Sequence, residues 1–514
     1  MNKIRKAILF INDFTDQGKE KFFLWSETEK LIEIEANDII DDSFEFICHD
    51  YWLLAPAIYR KTKNLPKHVI DVEDLRTSTS GKREDRENRE KVDFSQALID
   101  FSDKETVGRY INIIYKNKPF DADTFRSIGR SLILLAENLE NKAREASEWD
   151  RYIEIERPVT NYLIKSTSEG IAIEETALRR HKAKIDFSYY MALKEFSAKY
   201  SLPLEVPTDE EVIEYLEPKF DFSGVSLDYI LNFVPMNDGF SDALIQLRKL
   251  SNFRKILNSI SLSQKRIHPI VDSFGSVTSR IYFKDPSLQN LSKKHRDILK
   301  ADDGLSLSYI DYDQYEAGIM GALSGDEKML TLFSSGDLYS LAAEEIFSDR
   351  EKRKQAKRLF LSYAYGMKRK SLIDAAKEFG AVREDAKKFF DQFSTFEKWK
   401  NSVWEEFRST NRIGTSFGNY LNRDKSGELS EKEKRSAVSQ VVQGTASLIF
   451  KKSLIKLSEI HDIKLKVPMH DAVLFQHSPD FDTKIIIDLF SKVMTDHFEN
   501  RIHGKASLSN FISE

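Results

Sequence analysis

Apolar residues along this chain recur with two different periods, and each change of period marks an element. Up to residue 75, short runs such as KAILFI, FEFICH and HVIDV read as strands between helical stretches, an α/β pattern. From about 95 to 270 the spacing is mostly helical, with long amphipathic segments such as ALRRHKAKIDFSYYMALKEFSAKY. LSLSYI (305–310) alternates as a strand, 325–410 returns to helices, and 430–458 predicts one long helix. VPMHDAVLF (467–475) then predicts strand, turn and strand. Residues 305–311 and 464–475 are expected to pair across the helices between them, so that an insertion interrupts one strand-bearing core. TSTSGKREDRENREK (77–91) is polar and without periodicity, and is expected to be a mobile loop. No internal repeat is visible.

Composition changes this picture little. At 514 residues the chain is too long for one core, and about three or four domains are expected. With 41% apolar and 31% charged residues the profile is that of a soluble globular protein. The single Cys48 excludes an intramolecular disulfide or a Cys-rich zinc site and fits a reducing cytosol. The opening MNKIRKAILFINDF is too short in its apolar part for a signal peptide, and no run approaches the roughly 20 apolar residues of a membrane span. Charge is more informative. The net charge is −5, yet twelve lysines and arginines from Arg248 to Lys300 meet only Asp272, Asp285 and Asp297. A second basic cluster runs from Arg350 to Lys370. Such islands suggest a local track for a polyanion, although a solvated face is the commoner cause of any one charge run.

The candidate chemistry begins with Asp471 inside VPMHDAVLF. Taken alone, His470-Asp471 reads as a solvated hairpin turn, because Asp is a common turn residue and a buried, unpaired charge costs several kcal/mol. Asp311 stands at the end of a second strand, with Leu305, Leu307 and Tyr309 on its face by period two. Paired carboxylates on neighbouring strands are natural ligands for hard divalent cations such as Mg²⁺. A pair of such ions about 4 Å apart can activate an attacking oxygen and hold a leaving one. In 350–366, Arg353, Lys357 and Leu361 recur at i, i+4, with Ser348 and Glu351 as an expected capping box and Gly366 as the stop. Two cations on one helix face suit a triphosphate; a solvated basic face is the alternative. In 429–450, Arg435, Ser439 and Gln443 make a polar stripe before small Gly444, Thr445 and Ala446. Such donors suit the minor groove of a duplex, with simple solvent exposure as the competing reading.

Taken in order, SVTSRIYFKDPSLQN (276–290), DYDQYEAGIMGALSGD (311–326), RKQAKRLFLSYAYG (353–366), QVVQGTASLIF (440–450) and PMHDAVLF (468–475) resemble the successive motifs of family A DNA polymerases, over roughly 155–514. The resemblance implies an α+β right-hand fold of thumb, palm and fingers. Its expected parts are a thumb over 151–270, a palm over 271–330 and 429–514, and fingers over 331–428. It implies a template-directed DNA polymerase that adds dNTPs to a primer 3′-hydroxyl, using two Mg²⁺ ions for which Mn²⁺ can substitute. Asp311 and Asp471 match the two metal-binding aspartates. Arg353 and Lys357 match the residues that hold the triphosphate, Lys357 counting also as catalytic. Leu361, Tyr365, Glu316 and Tyr339 fall at dNTP-binding positions, Glu316 matching a glutamate that excludes a 2′-hydroxyl. Arg280, Gln289, Asn290, Arg435, Gln443 and His470 match DNA-contacting positions. The expected partners are primer–template DNA, dNTPs and, as an open option, a processivity factor. A cytoplasmic monomer is expected, in a bacterial or phage-infected cell.

Several positions depart from the family pattern. Leu361 stands where an aromatic residue is usual, Ala472 where a glutamate is usual, Tyr339 for a histidine and Ser439 for an asparagine. These mark a divergent member, of phage or mobile-element type. Residues 1–150 resemble the α/β exonuclease domain that precedes the thumb in many members, but stripped of its ligands. Asp13 is followed by Phe14 and Thr15 without a glutamate, and Leu53 and Leu54 stand where a further aspartate would fall. Proofreading is therefore not expected. Two alternatives remain: a catalytically weak nucleic-acid-binding protein on the same scaffold, and an RNA-synthesising relative, against which Glu316 weighs.

Overall fold

The computed structural model describes residues 3–87, 95–220, 227–234, 236 and 238–512. Near the N-terminus five strands form one mixed sheet, ordered Lys30–Ile34, Lys19–Ser26, Ile4–Asp13, Phe44–Cys48 and Val69–Asp71. The first two joins are antiparallel and the last two parallel. Period two sorts the side chains. Ala7, Leu9, Ile11, Phe23, Trp25 and Ile47 face the long helix Ala122–Glu145, whereas Ile8, Phe10, Phe22, Leu24 and Phe46 face the helix Tyr51–Thr62. Strands Lys19–Ser26 and Lys30–Ile34 had no expectation attached to them. KFFLWS is buried on both faces at its end and so lacks a clean alternation.

The larger body is one continuous core running from Val159 to Ile502. Its central sheet is antiparallel, in the order Lys464–Met469, Ala472–His477, Ser306–Tyr312 and Ala506–Leu508. The expected pairing across the insertion is present, with Ser306 opposite His477 and Asp311 opposite Ala472. The strand begins at Ser306, leaving Leu305 outside it, and its far face is also buried. Tyr312 on that face donates to Phe490 O at 3.0 Å and shares a 2.7 Å hydrogen bond with Ser453 Oγ, so the helices Glu431–Ser458 and Lys484–His497 cover it. Between the paired strands lie seven helices from Tyr315 to Thr410 and a hairpin, Arg412–Thr415 with Gly418–Asn422. The helices Glu175–Tyr200 and Phe240–Ser259 carry a smaller core of their own around Phe196, Tyr200, Phe240 and Leu244. Among the described residues, no helix is long and apolar enough to cross a membrane.

Two local expectations are corrected. Ser348 does not cap the next helix: it takes a left-handed conformation (φ +53°) and ends Leu338–Phe347, its N–H donating to Glu344 O. Asp349 caps instead, accepting the Glu351 N–H at 2.9 Å. The stretch 77–91 is not a mobile loop in its described part. Residues 77–79 finish the helix Val72–Thr79, Arg83–Glu87 is helical, and Arg86 is fully buried; residues 88–91 lie outside the described residues.

A buried chain of alternating charges joins the two bodies. Glu148 and Glu156 both pair with Arg151, and Glu156 also pairs with Lys451, which donates to Ser273 O at 2.9 Å. Glu148 further accepts the N–H groups of Asn419 (3.0 Å) and Tyr420 (2.8 Å). Each member is hydrogen-bonded as well as paired, which is what keeps buried charge tolerable.

The N-terminal sheet meets its helix most closely at Gly129, where an added Cβ would lie 2.6 Å from Trp25. Gly129→Val is therefore expected to destabilise the protein by about 1–3 kcal/mol through overpacking, read as a lowered midpoint in urea.

Candidate active site at the central sheet

His470 and Asp471 form the two-residue turn between Lys464–Met469 and Ala472–His477, with His470 left-handed at φ +57°. The turn reading is thus right for the backbone. For solvation it holds at His470, which is exposed, and only in part at Asp471, which is half-buried. The register sets Asp311 opposite Ala472, and the Tyr312 N–H donates to Asp471 O at 3.2 Å. Asp471 is the residue before Ala472, so the two aspartates are diagonal neighbours at the end of the ladder.

Their electrostatics follow from that placement. Burial pushes the Asp311 carboxyl up to about 7, with the nearby Asp471 and Asp313 charges adding; Lys293 and Lys357 oppose the shift. Burial also raises Asp471, against the pull of Arg280 and Lys357. Asp311 Oδ1 is buried and has no hydrogen-bond partner among the described residues. An orphaned carboxylate oxygen beside a second carboxylate fits a hard divalent cation, which would satisfy the oxygen and offset the repulsion. No group of three or more His, Cys, Asp or Glu side chains forms a metal-holding cluster among the described residues. A cation held by Asp311 and Asp471 would keep coordination positions open for oxygens of a bound molecule.

A hydrogen-bonded chain leads away from the pair. Glu316, in the first turn of Tyr315–Ser324, accepts from Arg280 Nη2 at 2.7 Å and bonds the Tyr365 hydroxyl. Gln443 Nε2 donates to that hydroxyl at 3.5 Å. Burial, with the Glu316 charge, pushes Tyr365 well up. On the other side, Arg353 and Lys357 both lie over the buried Tyr339 ring, at 5.5 and 5.3 Å, so they share one helix face. Arg353 Nε also donates to Asp337 Oδ2 at 2.5 Å. Leu361 is half-buried against the large core on the same helix. His470 meets the Tyr282 ring edge-on at 5.7 Å.

Gln289, Asn290 and Arg435 stand outside this chain of contacts. The Gln289 carboxamide oxygen is buried and accepts the Phe283 N–H at 2.5 Å. Asn290 is exposed and donates to Ser287 Oγ at 2.9 Å. Arg435 is exposed, its stem lying against Gly366. Asp337 and Lys293 were not among the expected site residues. Lys293 belongs to the basic island, but no sequence pattern tied Asp337 to Arg353. That island is also less free than its count suggests, because Arg248, Arg254, Arg266, Arg280, Lys284 and Lys300 each hold a carboxylate.

Residues 206–509 match the family described as DNA polymerase family A. The chain belongs to that family. It is 24% identical over 409 residues to DNA polymerase I of Caldicellulosiruptor bescii, an alignment covering 70% of this chain and 46% of that protein. DNA polymerase I of Mycobacterium bovis is 25% identical over 400 residues, covering 70% and 44%. The thermostable DNA polymerase I of Thermus aquaticus is 28% identical over 253 residues, covering 45% and 30%. The chain thus spans about half the length of the curated relatives it matches. Among solved structures, the POL domain of Pol1 from M. smegmatis, in complex with DNA primer-template and dNTP, superposes with a TM-score of 0.76 at 18% identity. That match covers 98% of this chain and 94% of the other, and it bears out the α+β right-hand fold class of a family A chain.

For this family A site the aspartate pair has a measurable consequence. The folded protein binds the Asp311 proton more tightly than an unfolded chain, whose carboxyl stays near 3.8. Its contribution to stability is therefore full below that value and is lost as pH rises to about 7. Without divalent cations, Asp311→Asn is expected to melt higher than the parent at pH 8, by about 1 kcal/mol or more, and to lose the advantage near pH 4. An equal or lower melting temperature at pH 8 in EDTA would contradict this.

Proposed function

We propose that this chain is a template-directed DNA polymerase, adding dNTPs to a primer 3′-hydroxyl with release of pyrophosphate. The observation that carries the reading is the strand register that sets Asp311 beside Asp471, leaves one Asp311 oxygen without a partner among the described residues, and keeps both within reach of the Lys357 charge. Family membership and the fold support it.

In this reading Asp311 and Asp471 hold two Mg²⁺ ions, with Mn²⁺ able to substitute. The ions would supply Lewis-acid stabilisation of charge on the attacking and leaving oxygens. The protein's own groups do the rest. Arg353 and Lys357, fixed on one face by Tyr339 and Asp337, bind the triphosphate and offset the charge of departing pyrophosphate. Tyr365, held by Glu316 and Gln443, forms the wall against which the nascent base pair stacks. Glu316, anchored by Arg280, crowds the sugar so that a 2′-hydroxyl is disfavoured. Arg280, His470, Gln443, Arg435 and Asn290 face primer–template DNA, with the buried Gln289 behind them holding the Phe283 N–H. The palm comprises 271–330 and 429–514, the fingers 331–428 and the thumb 151–270, with 1–150 as the exonuclease-like layer.

Proofreading is absent in this proposal. The support is that Asp13, the acidic residue of the first strand, is spent on a turn. It accepts the Thr15 N–H at 3.0 Å and pairs with Lys21 at 2.7 Å, while Leu54 is buried in the core.

Primer-extension kinetics test the whole. Asp311→Asn and Asp471→Asn should each cost several orders of magnitude in rate while primer–template affinity stays nearly unchanged; a wild-type rate in either variant removes the mechanism. Lys357→Ala should raise the apparent KM for dNTP, lower kcat, or both. A 3′-mismatched primer with Mg²⁺ should be left untrimmed, and efficient removal of the mismatch would refute the reading of 1–150. Incorporation of rNTPs as fast as dNTPs would overturn the role of Glu316.

A further inference from the structure

Arg86 is only 1% exposed, although it sits in the most polar stretch of the chain. Its guanidinium leaves the N-terminal layer and enters the central body. Nη1 donates to Val277 O (2.8 Å), Ser279 Oγ (2.9 Å) and Asn419 Oδ1 (2.6 Å). Nη2 donates to Ser78 O (2.8 Å) and Nε to Ser80 O (3.0 Å). All five of these acceptors are uncharged. A guanidinium buried this way is tolerated only because its donors are satisfied, and burial with the nearby Arg151 charge draws it down to about 10.

Two of those acceptors lie in the turn that delivers Arg280. Ser279 is left-handed at φ +56°, a conformation strained for a non-glycine residue, so the turn needs outside support. The Ser279 N–H closes it onto Ser276 O at 2.9 Å. From the central body, Ser447 Oγ donates to Ser279 O (2.6 Å) and Gln440 Nε2 to Val277 O (3.1 Å). From the N-terminal layer comes Arg86. One residue beyond the turn, Arg280 reaches Glu316 and lends its charge to Asp471.

We infer that Arg86 is a positioning residue for Arg280: the N-terminal layer, through the Val277–Ser279 turn, fixes the direction in which Arg280 meets Glu316 and the primer–template. The inference rests on the polymerase reading above and extends it. A side chain from the layer that has no part in the chemistry completes the wall of the site.

Primer extension by the full chain, its variants Arg86→Met, Ser279→Ala and Arg280→Ala, and the double variant Arg86→Met/Arg280→Ala provides the test, with melting curves recorded for each. Arg86→Met is expected to lower kcat/KM about 10- to 100-fold while remaining folded at the assay temperature, the scale that goes with misplacing a reacting geometry by about 1 Å. Ser279→Ala is expected to act in the same direction by about 3-fold, since it removes one acceptor. In the Arg280→Ala background, Arg86→Met should cost no more than about 2-fold, because the residue it positions is gone. Equal losses in both backgrounds, or a lowered melting temperature with unchanged kinetics, would overturn the inference and leave Arg86 as a fastener between layers. Should Arg86→Met not fold, Ser279→Ala takes its place in the same cycle. Wild-type protein that extends no primer is a different failure: it removes the polymerase proposal itself, and the inference with it.

Discussion

Two carboxylates set side by side by a strand register repel each other, and much of the surrounding structure is arranged so that they stay there. The ladder between Ser306–Tyr312 and Ala472–His477 holds the two backbones from which the carboxylates project next to each other. Helices close the far face of the sheet, so the pair cannot relax by exposing the strand to water. Arg280, Lys293 and Lys357 approach from three different segments and offset part of the charge without neutralising it. What remains unsatisfied is the attraction for a cation, and it is concentrated on one oxygen of Asp311.

The joint between the N-terminal layer and the central body obeys the opposite rule. There the four charges of one buried chain are matched, and Arg86 beside them is satisfied by uncharged acceptors. Glu148, Arg151, Glu156 and Lys451 alternate in sign and are almost wholly removed from water; Glu156 pairs with two cations, and the other three make further hydrogen bonds to backbone groups. Breaking one member of such a chain strands its partner, which costs about 3–5 kcal/mol. The two bodies are therefore expected to behave as one unit, and the saturated joint contrasts with the unsaturated site it borders.

Legibility in the sequence followed the range of the interactions. Asp311 and Asp471 were visible because each interrupts an apolar strand pattern, and a carboxylate there demands a reason. The helical insertion was visible from the change of period, and Arg353 with Lys357 from their i, i+4 spacing. Arg86 was hidden for a definite physical cause: four of its five acceptors are backbone carbonyls or a hydroxyl, and its partners at Val277, Ser279 and Asn419 are far away in the chain. Carbonyls leave no mark in a sequence, so a buried arginine among KREDREN looks like a solvated one. The Ser348 cap failed more locally. Both Ser348 and Asp349 can cap, and only the left-handed turn at Ser348 decides between them. Lys19–Ser26 was missed because burial on both faces erases alternation.

The central ladder also sets an order of events during synthesis. Strand Ser306–Tyr312 is flanked by Ala472–His477 and Ala506–Leu508, so both of its hydrogen-bonding edges wait for segments made about 160 or more residues later. At about 5–20 residues per second, a ribosome would leave those edges open for roughly 10–30 s. The N-terminal sheet, by contrast, has all five strands by Asp71 and draws its covering helix from 122–145. A nascent chain would thus carry a finished N-terminal layer while the middle strand of the candidate site is still an unpaired template for aggregation.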